Sequence, residues 1–340
     1  MKKLIPVIVL VVAVLAIVVI KKGGSVNAEV EPVVWYGMMP HPYISEVESG
    51  AAAAEAATGK KVLRVVGQEW TQDNENANVK ALSTKGHKGF SIFPGDPAGA
   101  NGLFGQLVRN GQAVIAYGAE PKLPTPASFT VATDIHQAAT DACEALVKLM
   151  GGKGNILNVL ETVTDVNTKV RNDAIVAVAE KYADVTIAQT ISDMSQVSIA
   201  KEKIQSALAA RGDEIDGIIT TGYNPTIAAA AVLSEWHANP DHKRIRYIGI
   251  DTGPTVMAAI RNGSIDATVS QNPFGHGYIS CTILSKMTEG WTPKQAYQFI
   301  NAGHIIVNKD NIDTYATEVK AITEGIVAKI ETEYLNAPEQ

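Results

Sequence analysis

One unit recurs along most of this chain: a short unbroken apolar run, a turn, then a stretch with helical periodicity. The apolar runs fall at residues 33–38, 62–67, 89–94, 113–118 and 129–134. A second series follows at 155–160, 185–190, 217–222, 247–251 and 267–271. Runs this short, continuous and often β-branched are the pattern of parallel strands buried on both faces. Between them, Ile44, Val47, Ala51 and Ala54 fall on one helical stripe, with Glu46, Glu48 and Glu55 off it. Val197, Ala200, Ile204 and Leu208 repeat that spacing, and so do Ile279, Ile283 and Met287. Strand–helix alternation builds doubly wound parallel sheets. About ten strands overfill one such sheet, so the expected α/β fold has two doubly wound parallel-sheet lobes.

The divide falls near Asp134, where one strand series ends and a helix over 136–150 opens the next. The expected lobes are residues 30–134 plus 272–300 and residues 135–271 plus 301–340. No Gly/Ser- or Pro-rich linker marks the divide. The lobes are therefore expected to be joined by continuous strands crossing between them, a multi-strand hinge rather than a tether. Residues 311–335 read as an added amphipathic helix, with Ile312, Val319, Ile322 and Ile326 on its apolar side.

The first thirty residues differ in kind. Lys2 and Lys3 precede an apolar run over residues 4–20, and Val26-Asn27-Ala28 supplies a small-x-Ala end. That is the pattern of an export signal. The run is near the lower length limit of a spanning helix, so residues 1–28 read as a signal peptide or a membrane anchor. Either way the remainder is expected outside the cytoplasm. No cysteine follows the run, which excludes lipid attachment there. Cys143 and Cys281 lie in apolar helical contexts and are expected as buried free thiols.

A net charge of −6 with no Lys/Arg-rich block excludes a nucleic-acid partner, because phosphate binding needs a concentrated basic surface. Catalytic signatures are missing: there is no GxSxG, HExxH, P-loop, or GxGxxG after the first strand. Gly151-Gly152-Lys153-Gly154 precedes a strand rather than a helix, unlike a phosphate loop. The seven histidines show no metal-ligand spacing, and neither a metal nor a cofactor is expected.

Parallel sheets gather ligand sites beyond the carboxyl ends of their strands. The strand tips therefore supply the candidate residues. Met39-Pro40-His41-Pro42-Tyr43 follows the first strand and places His41 and Tyr43 at a cleft or in a helix cap. Asp251 ends Tyr247-Ile248-Gly249-Ile250-Asp251, where its carboxylate can accept two hydroxyl hydrogen bonds or cap the helix opening at Pro254. Gln271 both donates and accepts, as a ligand contact or a hinge residue. Lys169 and Arg171 open a helix, one reaching the cleft and the other solvated. Asn224 follows a strand as a ligand contact or a cap, and Trp70 and Met194 offer apolar walls or packing.

Over residues 33–310 the chain resembles the ribose-binding-protein-like receptors of bacterial ABC sugar importers, the type I periplasmic binding proteins. The likeness is clearest at residues 39–43, where that family has Asn-Pro-aromatic-aromatic, and at Gly249-Ile250-Asp251 followed by Gly263-Ser264-Ile265-Asp266-Ala267-Thr268-Val269-Ser270-Gln271. The resemblance implies that Asp251 and Gln271 hold sugar hydroxyls. His41 stands where the family often has asparagine, and Tyr43 where it has a stacking phenylalanine. Lys169 replaces a sugar-contacting arginine, Met194 an aromatic wall, and Asp134 matches an aspartate at the crossing between lobes.

The largest departure follows Tyr117, itself a candidate ligand residue at its strand tip. Gly118-Ala119 stand where ribose binders carry Asp-Arg, which argues against ribose and for a bulkier or less hydroxylated ligand in the opened space. Glu120 is the candidate replacement acid. The implied protein is a monomeric, periplasmic or cell-surface receptor that passes a sugar or polyol to an ABC permease. A sensor-coupled binding protein and an extracytoplasmic α/β enzyme are the alternatives. A sugar-responsive repressor of the same fold would begin with a DNA-reading helix-turn-helix, and this chain begins with an apolar run.

Overall fold

The computed structural model describes residues 31–339. The expected signal or anchor segment at residues 1–28 lies outside the described residues. The first half runs β1 (Val33–Gly37), α1 (Pro42–Thr58), β2 (Val62–Val66), α2 (Gln72–Ser83), β3 (Gly89–Ile92), α3 (Ala100–Arg109), β4 (Ala113–Tyr117) and β5 (Phe129–Ala132). The second runs α4 (Ile135–Leu149), β6 (Gly154–Val159), α5 (Val166–Ala179), β7 (Val185–Ile191), α6 (Val197–Arg211), β8 (Ile215–Thr220), α7 (Tyr223–His237), β9 (Arg246–Ile250), α8 (Pro254–Arg261) and β10 (Ala267–Ser270). The chain closes with α9 (Pro273–Thr288), β11 (Thr292–Pro293), β12 (Gln298–Asn301), β13 (Ile305–Asn308), α10 (Tyr315–Val327), a π-helical turn (Ile330–Tyr334) and β14 (Leu335–Asn336).

Two six-stranded sheets result, in the orders β12-β5-β4-β3-β1-β2 and β13-β10-β9-β8-β6-β7. All neighbours are parallel except β13, which runs antiparallel to β10. Burial explains why these strands are continuously apolar. In β1, Val33 and Trp35 enter the core on one side of the sheet while Val34 and Tyr36 enter the core on the other. Both faces are covered by helices, so alternation of apolar and polar residues has no role. The second sheet likewise has a core on each face.

Helices α1 and α9 approach one another closely on the first lobe. A Cβ on Gly50 would lie 2.0 Å from the Phe274 carbonyl oxygen, and one on Gly277 would lie 2.0 Å from that of Val47. Only glycine permits such backbone contact. Cys143 and Cys281 are free and buried in the cores of different lobes.

The chain passes between lobes three times in succession, between β5 and α4, β10 and α9, and β12 and β13. Side chains tie these crossings together. Asn301 Oδ1 accepts from the backbone N–H of Asp134 at 3.1 Å and of Gly303 at 2.9 Å. Asn272 Nδ2 donates to the Ala302 carbonyl at 2.7 Å, and Thr133 Oγ1 donates to the Gly303 carbonyl at 3.0 Å.

The C-terminal tail departs from its expected place on the second lobe. Ile312 and Tyr315 do pack on the second lobe's core. Ile326, Val327, Ile330 and Leu335, however, belong to the first lobe's core, and β14 pairs with β11 beside it. The reason lies in α9, which carries the chain back to the first lobe and offers its flank to α10. Thr323 Oγ1 accepts from Asn272 Nδ2 at 2.8 Å where the tail passes the crossings.

Candidate functional site

The carboxyl ends of both sheets look into one cavity of about 800 Å³ between the lobes, within the usual range for small-molecule sites, about 300–1,000 Å³. Its second-lobe wall centres on Asp251, one residue beyond β9. The Asp251 N–H donates to the Val269 carbonyl at 2.7 Å, which keeps the chain in sheet register past the end of the strand. Its φ of 67° then turns the backbone sharply. Aspartate tolerates this left-handed region better than most residues. Asp251 does not cap the following helix, because Gly253 occupies that position.

The carboxylate is held by a chain of donors. Gln271 Nε2 donates to Asp251 Oδ1 at 2.6 Å, Arg171 Nη2 donates to Gln271 Oε1 at 3.4 Å, and Arg171 Nη1 donates to the Thr221 carbonyl at 3.0 Å. The amide is thereby oriented from behind. Among the described residues, Asp251 Oδ2 receives no hydrogen bond, so it is free to accept from a guest. Burial raises the Asp251 pKa above the ordinary carboxylate value, opposed by the Gln271 hydrogen bond and the Arg171 charge.

The first-lobe wall is aromatic. His41 caps α1, accepting from the Tyr43 N–H at Nδ1 (3.2 Å), and Pro42 opens the helix. Both sequence readings of this segment therefore hold together. Across the cavity, the His41 ring meets Tyr223 edge-on at 5.4 Å between centroids. Burial lowers the His41 pKa, opposed by Asp251.

Behind it, Thr133 fixes a tautomer. Its single hydroxyl proton goes to Gly303, so its oxygen accepts from His276 Nε2 at 3.4 Å. His276, held neutral by full burial with its pKa pushed down to about 3, then accepts at Nδ1 from the Tyr43 hydroxyl at 2.8 Å. The Tyr43 oxygen keeps its acceptor capacity. Trp70 and Tyr43 both meet Phe93 edge-on, at 4.9 and 6.3 Å.

The space at Gly118 is not open. A Cβ there would lie 2.4 Å from the Tyr43 hydroxyl and 2.8 Å from the Phe93 ring, and its φ is +74°. Aromatic packing occupies the volume that the loss of an Asp-Arg pair was expected to release.

Nine sequence candidates line the cavity together: His41, Tyr43, Arg171, Asn224, Asp251, Gln271, Trp70, Glu120 and Asp134. Asp134 also caps α4 through the Gln137 N–H, and the Tyr297 hydroxyl donates to Glu120. Asn224 donates to Glu161 Oε1 at 2.9 Å. Three candidates lie elsewhere. Lys169 is exposed and paired with Asp173 one helical turn on. Thr168 and Arg171, three residues apart, share the buried face of α5, which leaves Lys169 on the other. Met194 is fully buried in the second lobe's core, because Asp193, at φ 63°, turns the chain inward. Tyr117 is also buried, its hydroxyl donating to the Tyr36 carbonyl at 2.9 Å and its ring supporting Phe93.

The family model described as "Periplasmic binding protein domain" matches residues 33–292. The chain belongs to that family. Solved structures similar to this periplasmic binding protein include an ABC transporter solute-binding protein from Burkholderia graminis in complex with D-arabinose. It is 21% identical, with a TM-score of 0.75 over 83% of this chain and 96% of that one. A sugar-binding protein from Bacillus halodurans is 18% identical, with a TM-score of 0.76 over 84% and 100%. An ABC transporter solute-binding protein from that organism, solved with bound myo-inositol, is 16% identical, with a TM-score of 0.73 over 85% and 98%. At these identities the likeness establishes the fold.

In this periplasmic binding protein the strand-tip rule, applied evenly, would have found three further lining residues. Phe93 follows β3, Glu161 follows β6 and Tyr223 follows β8. Arg171 needed helical register as well. The contact of His276 with Tyr43, across 233 residues of chain, carries no sequence signal.

Proposed function

We propose that this protein captures a sugar or sugar-like polyol between its lobes, outside the cytoplasmic membrane, and delivers it unaltered to an ABC permease. One observation carries the reading. A carboxylate–amide pair, Asp251 and Gln271, is braced from behind by Arg171 and faces an aromatic wall inside an interlobe cavity. Such a pair accepts from and donates to adjacent hydroxyls, while ring faces cover the apolar C–H side of a pyranose or cyclitol.

The seven ligand residues in this reading are His41, Tyr43, Arg171, Phe93, Asn224, Asp251 and Gln271. Lobes hinged at residues 134, 271 and 301–304 would close on the guest as rigid bodies. Similar folds solved with D-arabinose, myo-inositol and α-D-tagatopyranose support the choice of ligand class. Membership of the family supports export and work as a monomer beside a permease. Among the described residues no helix is long and apolar enough to cross a membrane, so any tether belongs to the N-terminal segment.

The test is a thermal-shift screen of pentoses, hexoses, hexosamines and cyclitols, followed by calorimetry and mass spectrometry of the recovered ligand. A ligand at a hundred times its Kd adds about 2.7 kcal/mol to native-state stability and raises Tm. No shift with any of them, or a ligand released chemically changed, would defeat the reading.

A further inference from the structure

The charge of the cavity goes beyond a neutral sugar. Five carboxylates line it, those of Glu120, Asp134, Glu161, Asp165 and Asp251, against the single guanidinium of Arg171. Among the described residues, none of the five forms an ion pair; the ion pairs of the molecule lie elsewhere. Their hydrogen-bond donors are neutral: Gln271 for Asp251, Asn224 for Glu161, Tyr297 for Glu120, and helix N–H groups for Asp134 and Asp165.

Asp134, Asp165 and Glu161 sit at helix N-termini, each worth roughly half a positive charge. With all five ionised, crediting all three still leaves the cavity negative by about two and a half charges. A concave, low-dielectric cleft focuses such a field on whatever enters it. Burial raises the pKa of Asp251, opposed by the Gln271 hydrogen bond and by Arg171 and His41, and burial raises that of Glu161, which Asp251 and Asp165 raise further against the Asn224 hydrogen bond and Arg171.

The opposite wall is built for the same sign. Trp70, Phe93 and Tyr43 form an aromatic cluster on the first lobe beside His41, which burial holds toward its neutral form, and Tyr223 meets the His41 ring from the second lobe. Aromatic faces attract a cation by about 0.5–2 kcal/mol, more as water is excluded. A metal ion does not meet these terms. Among the described residues no three His, Cys, Asp or Glu side chains lie close enough together to hold one. The carboxylates are spread around the cavity, as suits an organic cation that also carries hydroxyls.

Resting on the sugar-capture reading above, we propose that the preferred ligand is a hydroxylated molecule bearing a protonated amine, an amino sugar or aminocyclitol, and that the cleft rejects sugar acids and sugar phosphates. Asp251 and Gln271 take hydroxyls, and the ammonium lies between the Glu161 side and the aromatic wall.

The experiment is calorimetry on the full mature protein with matched sets sharing one ring stereochemistry: D-glucosamine, D-glucose, D-glucuronate and glucose 6-phosphate, then the galactose equivalents. The expected result is an amine bound at least about tenfold more tightly than its parent hexose, with affinity that falls as salt rises. The acid and the phosphate should give no heat of binding. Glu161→Gln, which keeps an acceptor for Asn224, should shrink the amine-to-parent ratio by at least about fivefold. A neutral sugar bound as tightly as every amine, without salt dependence, overturns this inference and leaves the sugar-capture reading standing. Tight binding of an acid or a phosphate overturns it in the same way. No binding of any set member, nor of any compound in the wider screen, overturns both.

Discussion

Asp251 does three things within one residue: it ends a strand, turns the chain at positive φ, and offers a carboxylate oxygen that has no partner among the described residues. The backbone demand shapes how its role is tested. Alanine at φ 67° would add a strain of about 1–2 kcal/mol, whereas asparagine tolerates the region and keeps the shape. Asp251→Asn is therefore expected to retain the native circular dichroism spectrum and to lose at least about a hundredfold in ligand affinity by calorimetry. Affinity within a few-fold of the parent would remove Asp251 from the site.

His276 offers a second test at this scale. Its folded pKa of about 3 lies below the ordinary histidine value, so folding favours the neutral form. Its contribution is whole above about pH 6.5 and is lost as pH falls from there toward about 3. Glu75 acts in the opposite sense. Burial lifts its pKa to about 7, so its contribution grows as pH falls from about 7 to the ordinary carboxylate range. Comparison with His276→Gln isolates the histidine. The stability advantage of the parent over the variant, from urea unfolding, should shrink by about 3 kcal/mol between pH 7 and pH 4. A constant difference would show that His276 titrates in the folded protein as it does in the unfolded chain, its pKa undepressed.

At the scale of elements, helix α5 shows how one turn of register decides a role. Lys169 and Arg171 are two residues apart, about 200° around the helix axis, so they cannot share a face. Thr168, Arg171, Ala174 and Ile175 form the buried side, and Lys169 pairs with Asp173 in solvent. Lys169→Ala is expected to leave affinity within about twofold, since exposed pairs contribute little. Arg171→Ala removes the brace behind Gln271 and should cost at least about tenfold. Equal effects from the two would contradict the register. The strand tips show the complementary rule. Every parallel strand delivers the few residues after it to the same edge of its sheet, which is how Phe93, Glu161, Tyr223 and Asp251, one to three residues beyond their strands, converge on one cavity from four separate strands.

For the whole molecule, the tail binds the lobes together. It starts on the core of the second lobe at Ile312 and Tyr315, passes the crossings at Thr323, and ends in the core of the first at Ile330 and Leu335. Ending the chain after Lys329 removes two almost fully buried aliphatic side chains from that core. A loss of about 3–6 kcal/mol in unfolding free energy is expected by denaturant titration. A change below about 1 kcal/mol would mean the first lobe is complete without its tail. The order of strands and helices was legible in the chain itself, because strands buried on both faces must be continuously apolar and the helices between them must carry a stripe. The carboxylate and amide at two strand tips were legible for the same reason: strand direction alone sets which end they occupy. What residue spacing does not encode is contact across hundreds of positions. The packing of Tyr43 and Phe93 into the space beside Gly118, the neutral His276 behind Tyr43, the inward turn of Met194 and the return of the tail to the first lobe were each decided by the tertiary structure. There, burial and the hydrogen-bonding needs of distant groups choose among arrangements that local sequence leaves equal.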